Sequence, residues 1–488
     1  MFGNYLASFR ADSSVKFLSN CMNPEKSSLS FKTKLGFGLG NIGVMIGKQA
    51  PKALSLPIYN VALGVSPAWV GTVMALSRVW DAVTDPLVGH WSDRVTTRWG
   101  RRKPFIFAGS ILAGLFFASI WWFPRGLTDV QYLLYYIATS LLFYLALTVF
   151  SVPWYAMGYE LSEDYDERTR LQGFASFLGP AGQVLVAWLY PLTQQAYFTD
   201  TIEGVRFVGL GAGLLLAGFG CATVFMVKER RVDAVAAKRV KEAADKQSFW
   251  SGVKAAARSR PFVILTAAFT SVIVGVSLVG GLGFYVHTYY LYGGDTKLGG
   301  ELTAQNMTIM LICAVAFTPV VVKLSTRFGK KAVFTAALIW GFLRTCSLWF
   351  LLDPENPQLA LVNGFLWGFD NAAVFMLCHA MVADVCDDDQ LKSGTRREGL
   401  FGALYGWVFK TGLAMAFAIS GYVLVFIGFN RDLGGAQTTE TLFWMKAIYC
   451  SVPAIAFLLA ILIFTRYPIT RAIAARVREQ LDARNAAA

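Results

Sequence analysis

Apolar runs of about twenty residues or more alternate with short polar stretches along most of the chain. They lie near 35–62, 67–92, 104–123, 130–158, 171–195, 205–227, 261–292, 302–324, 331–352, 357–383, 398–427 and 440–465. Each is long enough to cross ~30 Å of hydrocarbon as a helix. The pattern predicts an all-α polytopic membrane protein with twelve transmembrane helices. Composition agrees, because only 15% of the 488 residues are charged and 55% are hydrophobic, where a soluble domain carries about 25% charged residues. The basic residues fall into alternate loops, Arg94 to Lys103, Lys228 to Arg260, Arg327 to Lys331 and Lys392 to Arg397. The opposite loops hold isolated bases such as Arg125, Lys297 and Arg431. That asymmetry puts both termini in the cytoplasm. It also explains the net charge of +13 without a nucleic-acid partner.

Five regions follow. Residues 1–34 form a cytoplasmic N-terminal leader without the apolar core of a cleavable signal, and 35–227 an N-terminal six-helix bundle. A cytoplasmic linker spans 228–260, either an amphipathic helix on the inner membrane face or a flexible tether. The C-terminal six-helix bundle takes 261–465 and a basic cytoplasmic tail 466–488. The halves echo each other. DRVTTRWGRRK after the second span has a counterpart in STRFGKK after the eighth. YELSEDYDERTR after the fourth matches ADVCDDDQLKSGTRRE after the tenth, with Glu160 and Asp384 in equivalent places. Parallel six-span repeats with a binding site between them are the mark of a rocking-bundle secondary transporter.

The charges inside the spans carry the candidate chemistry. Arg78, Asp81 and Asp85 share one face of the second span. An ionisable side chain in hydrocarbon costs at least ~2.5–3.5 kcal/mol and marks function by default. The trio reads as a cation site or as an ion-pair cluster tying helices together. Lys48 and Lys52 lie one turn apart in the first span, Arg344 in the ninth and Asp370 in the tenth. Lys52 can snorkel to an interface, and Arg344 can pair with Asp370 or Glu398. Other chemistry is excluded. The seven cysteines form no CxxC pair, the three histidines are scattered, and no Walker lysine motif is present. GFGLGNIG at Gly36 to Gly43 lies in a span with no preceding strand. Neither an enzyme nor a resident cofactor is expected.

At RVWDAVTDP (from Arg78), the DR…RWGRRKP hairpin, VPWY at Val152, MVADV at Met381 and VFKTG at Val408, the chain resembles the glycoside–pentoside–hexuronide:cation symporters of the major facilitator superfamily. The likeness runs from about Lys34 to Arg466. The resemblance implies the major facilitator fold and places Asp81 and Asp85 at the family's cation-binding carboxylates. Thr148 falls at a hydroxyl lining the same site, and Lys410 at a lysine that approaches from the other half. Tyr155 stands where the family often has a sugar-stacking tryptophan. Na+ is the expected coupling cation, because Thr148 adds an oxygen ligand; H+ is the alternative, because paired carboxylates can share a proton. Arg78 and Lys410 are the coupling candidates. The acids and arginine that hold sugar hydroxyls in galactoside carriers are absent. Ser151 and Ser176 occupy the fourth- and fifth-span positions, and Lys48, Gln49 and Lys52 line the first span.

Lys48, Gln49, Ser151, Tyr155, Ser176, Arg344, Trp367 and Asp370 are therefore the candidate substrate contacts, and their basic balance suits an anionic group. Asp93, Arg101, Arg102, Glu160, Arg168, Asp384, Arg396 and Arg397 are candidates for a cytoplasmic gate. The expected protein is a monomeric symporter of the plasma (inner) membrane that carries a small glycoside or sugar acid by alternating access. A sodium-coupled lysolipid symporter and a non-transporting sensor are the alternatives.

Overall fold

The structure, a computed structural model, describes residues 29–95, 97–162, 165–228, 258–393 and 398–487. Among them are twelve long helices: α1 (Phe31–Ser55), α2 (Pro67–Arg94), α3 (Lys103–Trp121), α4 (Asp129–Glu160), α5 (Tyr165–Thr193), α6 (Thr201–Met226), α7 (Arg260–Leu278), α8 (Thr296–Phe328), α9 (Lys330–Leu351), α10 (Ala360–Ser393), α11 (Glu398–Phe426) and α12 (Thr439–Phe464). A tail helix, α13 (Arg471–Ala487), follows. α1 runs on into a π-helical segment, Leu56–Ala62. α7 breaks at Val279–Gly281 and resumes as Leu282–Tyr285 and a second π-helical segment, Val286–Leu291. The described residues form no strand, only an isolated bridge between Thr97 and Gly100 in the hairpin after α2. The proposed linker helix, the leader before Leu29, Arg396 and Arg397 lie outside the described residues.

Local chemistry sets the helix ends. Ser30, Thr128, Asp200, Asp295 and Thr438 cap α1, α4, α6, α8 and α12 by accepting hydrogen bonds from first-turn amides. Gly329, at φ +85°, lets α8 turn directly into α9, a backbone conformation that a side chain would strain. Two helices outrun their predicted spans. α5 begins at Tyr165, so its charged first turn is helical, and α10 continues to Ser393 through the acidic DVCDDD stretch.

Nine described segments are long and apolar enough to cross a membrane. α1, α2 and α5 are as long (25, 28 and 29 residues) but fall short in composition. α1 carries Lys32, Lys34, Lys48 and Lys52, α2 carries Arg78, Asp81, Asp85 and Asp93, and α5 is diluted by Gly, Pro and Gln. The hydropathy deficit of α1 and α2 is the signature of their interior charges.

α1–α6 pack together, as do α7–α12, and the sets meet where α2 packs on α11 and α5 on α8. α2 and α11 approach closely because Gly71 and Gly421 face each other's backbone; a Cβ on Gly421 would run into the Pro67 carbonyl. The end away from the termini is closed. One apolar core runs through the first half and on into Tyr285, Tyr289, Leu424 and Met445 of the second. The Tyr285 hydroxyl donates to Asn60 Oδ1 (2.6 Å), Arg431 to the Ala62 carbonyl (3.3 Å) and the Trp188 indole to Thr308 Oγ1 (3.1 Å). Toward the termini the second half has its own core, built from α7 and α9–α12 with Val321 of α8 and the Tyr467–Ile469 turn.

Candidate functional site

α2 and α4 build the first wall. Tyr144, Thr148, Ser151 and Tyr155 recur at helical spacing along one stripe of α4. Thr148 Oγ1 donates to Asp85 Oδ1 at 3.2 Å and lies 3.4 Å from Thr84 Oγ1. Lys410, from α11 of the other half, donates to Asp85 Oδ2 at 2.9 Å. One carboxylate is thus shared between the halves. Asp81, one turn earlier, accepts from Arg78 at 3.0 Å. Arg78 also donates to the Tyr144 hydroxyl (3.2 Å) and the Lys48 carbonyl (3.4 Å), with its guanidinium 5.0 Å from the Tyr144 ring centre. Two carboxylates and the Thr148 and Thr84 hydroxyls are oxygen donors of the kind a hard cation takes.

The Lys410 side chain is 57% exposed and that of Asp85 28%, so the pair lies at an accessible edge. Lys410 and Phe417, two turns apart, share the face of α11 turned to the first half. The Lys52 ammonium lies 4.9 Å from the Phe417 ring centre and donates to Gln49 Oε1 at 3.0 Å. Lys48 donates to the Tyr155 hydroxyl at 3.2 Å, over the same ring. Asp81, Asp85, Lys48, Lys410, Arg78, Gln49 and Tyr155 therefore gather in one region. Tyr144, Thr84 and Phe417 belong to it as well. The first lies four residues before Thr148 and the last seven after Lys410, so helical periodicity would have found both.

The other expected contacts lie elsewhere. Arg344 and Asp370 are 5% and 2% exposed and occupied with each other (3.1 and 3.4 Å), while Asn363 takes a further Arg344 hydrogen bond at 2.8 Å. Trp367 lies on the same guanidinium, 5.4 Å from ring centre to carbon. The trio expected as substrate contacts forms a sealed knot between α9 and α10, because a buried guanidinium needs its partners close by. Ser151 is buried at 5%, and Ser176 is exposed on α5.

The gate candidates pair within each half. Glu160 accepts from Arg101 (2.7 Å) and Arg102 (2.8 Å), and Arg102 reaches Asp93 at 2.6 Å. Lys330 holds Asp384 at 2.6 Å, a partner the expected set had left out. Arg168 donates to the Ser162 carbonyl at 3.1 and 3.3 Å.

The comparisons agree with this architecture. The model of the family described as MFS/sugar transport protein matches residues 36–471. The chain is 25% identical over 449 residues to the glucuronide carrier protein homolog of Escherichia coli (strain K12), covering 91% of this chain and 93% of that one. It is 26% identical over 477 residues to the sodium-dependent lysophosphatidylcholine symporter 1 of Xenopus tropicalis, covering 91% and 88%. In fold it is similar to the crystal structure of a D-xylose-proton symporter, with a TM-score of 0.58 at 16% identity over 88% of this chain and 97% of that one. With the family model matching nearly the whole chain and the carboxylate pair, hydroxyl and lysine converging in space, the protein belongs to the glycoside–pentoside–hexuronide:cation symporters of the major facilitator superfamily.

Proposed function

We propose that the protein couples the entry of Na+ to uptake of a small anionic glycoside or sugar acid across the plasma (inner) membrane. It does so as a monomer, by alternating access between bundles 35–227 and 261–465. Twelve spans with both termini in the cytoplasm complete this reading, and the closed end of the molecule then faces outward. The observation that carries it is the Lys410–Asp85 pair across the halves, with Thr148 on the second carboxylate oxygen. A cation that takes Asp85 competes with the Lys410 ammonium, so ion binding and the tie between bundles are thermodynamically linked. With the site empty, Lys410 neutralises Asp85, and the return step need not carry a bare acid through low dielectric. H+ in place of Na+ would use the same carboxylate.

A monovalent cation entering with a neutral substrate gains about 2.3 kcal/mol per 100 mV, enough for a roughly forty-fold substrate gradient at 1.4 kcal/mol per tenfold. Entering with a monoanion it is electroneutral, and the chemical gradient alone drives uptake. Uptake of glucuronides and sugar acids into proteoliposomes under an imposed Na+ or H+ gradient tests the reading. Accumulation that follows the Na+ gradient and fails in D85N is the expected result; accumulation indifferent to both gradients contradicts it.

One observation favours lysolipid as cargo. An apolar crevice of about 240 Å³ lies between α5 and α8, lined by Phe177, Pro180, Val184, Leu311 and Val315, and would suit an acyl chain. Uptake of lysophosphatidylcholine in the same vesicles separates the cargoes.

A further inference from the structure

The interior wall between the halves holds four cations and two carboxylates. Arg78 pairs with Asp81 and Lys410 with Asp85. Lys48 and Lys52 remain, and among the described residues each is bonded to a neutral acceptor, the Tyr155 hydroxyl and the Gln49 amide oxygen. An ammonium has three donors, so each lysine keeps hydrogens to offer. The two are one turn apart on α1, with about 5–6 Å between Cβ atoms at that spacing. Both heads rest on aromatic faces, Tyr155 from α4 and Phe417 from α11. Those faces hold a cation without neutralising it. An ammonium in a membrane interior without a counter-charge is expensive, so a ligand that brings negative charge would hold both lysines in their charged form.

Resting on the symport reading above, we propose that Lys48 and Lys52, with Gln49 beside them, form a cradle for a doubly negative oxyanion, a phosphate-monoester type of head group on the substrate. A monoanion would leave one charge uncompensated; a neutral hydroxyl would leave both. Several oxygens on one centre can accept from both lysines at once, and a charge-assisted bond is about twice as strong as a neutral one.

The test uses the purified full chain and follows its thermal unfolding with glucose, glucuronate, glucose 6-phosphate or inorganic phosphate. The second ionisation of a phosphate monoester, near pH 6, makes glucose 6-phosphate mainly dianionic at pH 7.5 and monoanionic at pH 5; inorganic phosphate, which ionises somewhat higher, is a mixture at pH 7.5 and monoanionic at pH 5. The expected result is a rise in melting temperature with glucose 6-phosphate or inorganic phosphate at pH 7.5 that exceeds the glucuronate response and shrinks at pH 5. K48Q and K52Q should each weaken the apparent affinity about tenfold or more. Glucuronate equalling the phosphates, no response to either phosphate, or an unchanged phosphate affinity in K52Q would overturn the cradle. A Na+-dependent shift that disappears in D85N is measured alongside. Its presence without a phosphate response fails the cradle alone, and its absence fails Na+ as the coupling ion.

Discussion

Two ion clusters sit inside the span region, and they are built on opposite principles. Arg344 meets Asp370 with two nitrogens on two oxygens, adds Asn363, and is sealed between neighbouring helices of one half. Asp85 instead divides its oxygens between Thr148 of its own half and Lys410 of the other, at an exposed edge. The first arrangement is saturated and local, so it fixes helix against helix. The second spans the boundary that the proposed alternating access would open, and each of its contacts is a single hydrogen bond that a ligand can replace. Charge in a membrane interior therefore does not by itself identify the working site. What separates the clusters is whether the partners belong to one rigid body.

The largest effect should come from breaking the shared carboxylate. D85N removes the anion that the cation and Lys410 compete for, so gradient-driven accumulation in proteoliposomes should fall to the passive leak while the protein remains folded. D81N should do the same if both acids serve the cation. Full accumulation in either variant would take that acid out of the site.

The saturated cluster predicts the reverse. D370A leaves the Arg344 guanidinium buried without its counter-charge, at a cost of about 3–5 kcal/mol. A clear drop in melting temperature is expected, with D85N nearly unaffected by the same measure. Replacing both partners by apolar residues, as in R344M/D370L, should recover most of the loss. A stable D370A that binds substrate poorly would return Arg344 and Asp370 to the substrate site.

A smaller effect is expected at Lys410. K410A leaves Asp85 available to the cation but removes its neutralising partner on the empty carrier. Net uptake, which needs that empty return, should suffer several-fold more than counterflow, in which the carrier reorients loaded. Equal losses would make Lys410 a substrate contact.

Much of this was legible because helices are periodic. Arg78, Asp81 and Asp85 at three- and four-residue spacing and the α4 stripe through Thr148 required only a helical repeat and the cost of charge in hydrocarbon. Lys410 was placed near the acids by resemblance and not by any local rule, since a contact 325 residues away in sequence leaves no trace in spacing. The choice between substrate contact and mutual pairing for Arg344 and Asp370 stayed open for the same reason, and the structure pairs them, with Trp367 against the guanidinium. Sequence gives the depth of a charge along its helix, but its direction depends on which neighbour packs there. α1 and α2, expected as spans from the polar and apolar runs, are not among the nine described segments apolar enough to cross a membrane, because they carry the interior charges. The π-helical ends of α1 and α7 had no visible cue beyond Pro57 and the VGGLGF glycines.

Those two π-helical ends carry the smallest predicted effect. They occupy equivalent places in the two halves and meet at the closed end, where the Tyr285 hydroxyl donates to Asn60 Oδ1 while Asn60 Nδ2 donates to the Val65 carbonyl. Arg431 adds a bond to the Ala62 carbonyl across the same seam. These contacts exist only while that end is shut, so they favour the closed state by their net worth and nothing more. Y285F deletes one neutral hydrogen bond and leaves the Asn60 oxygen unsatisfied when the end closes, a change of about 1 kcal/mol. The ratio of closed to open forms should then fall about fivefold. A cysteine at Val61, reacted with a membrane-impermeant maleimide from the outer side, reads that ratio as a labelling rate. Faster labelling in Y285F, with an unchanged melting temperature, is the expected outcome. An unaltered rate would mean that the Trp188–Thr308 contact and the shared apolar core hold the end shut without the tyrosine.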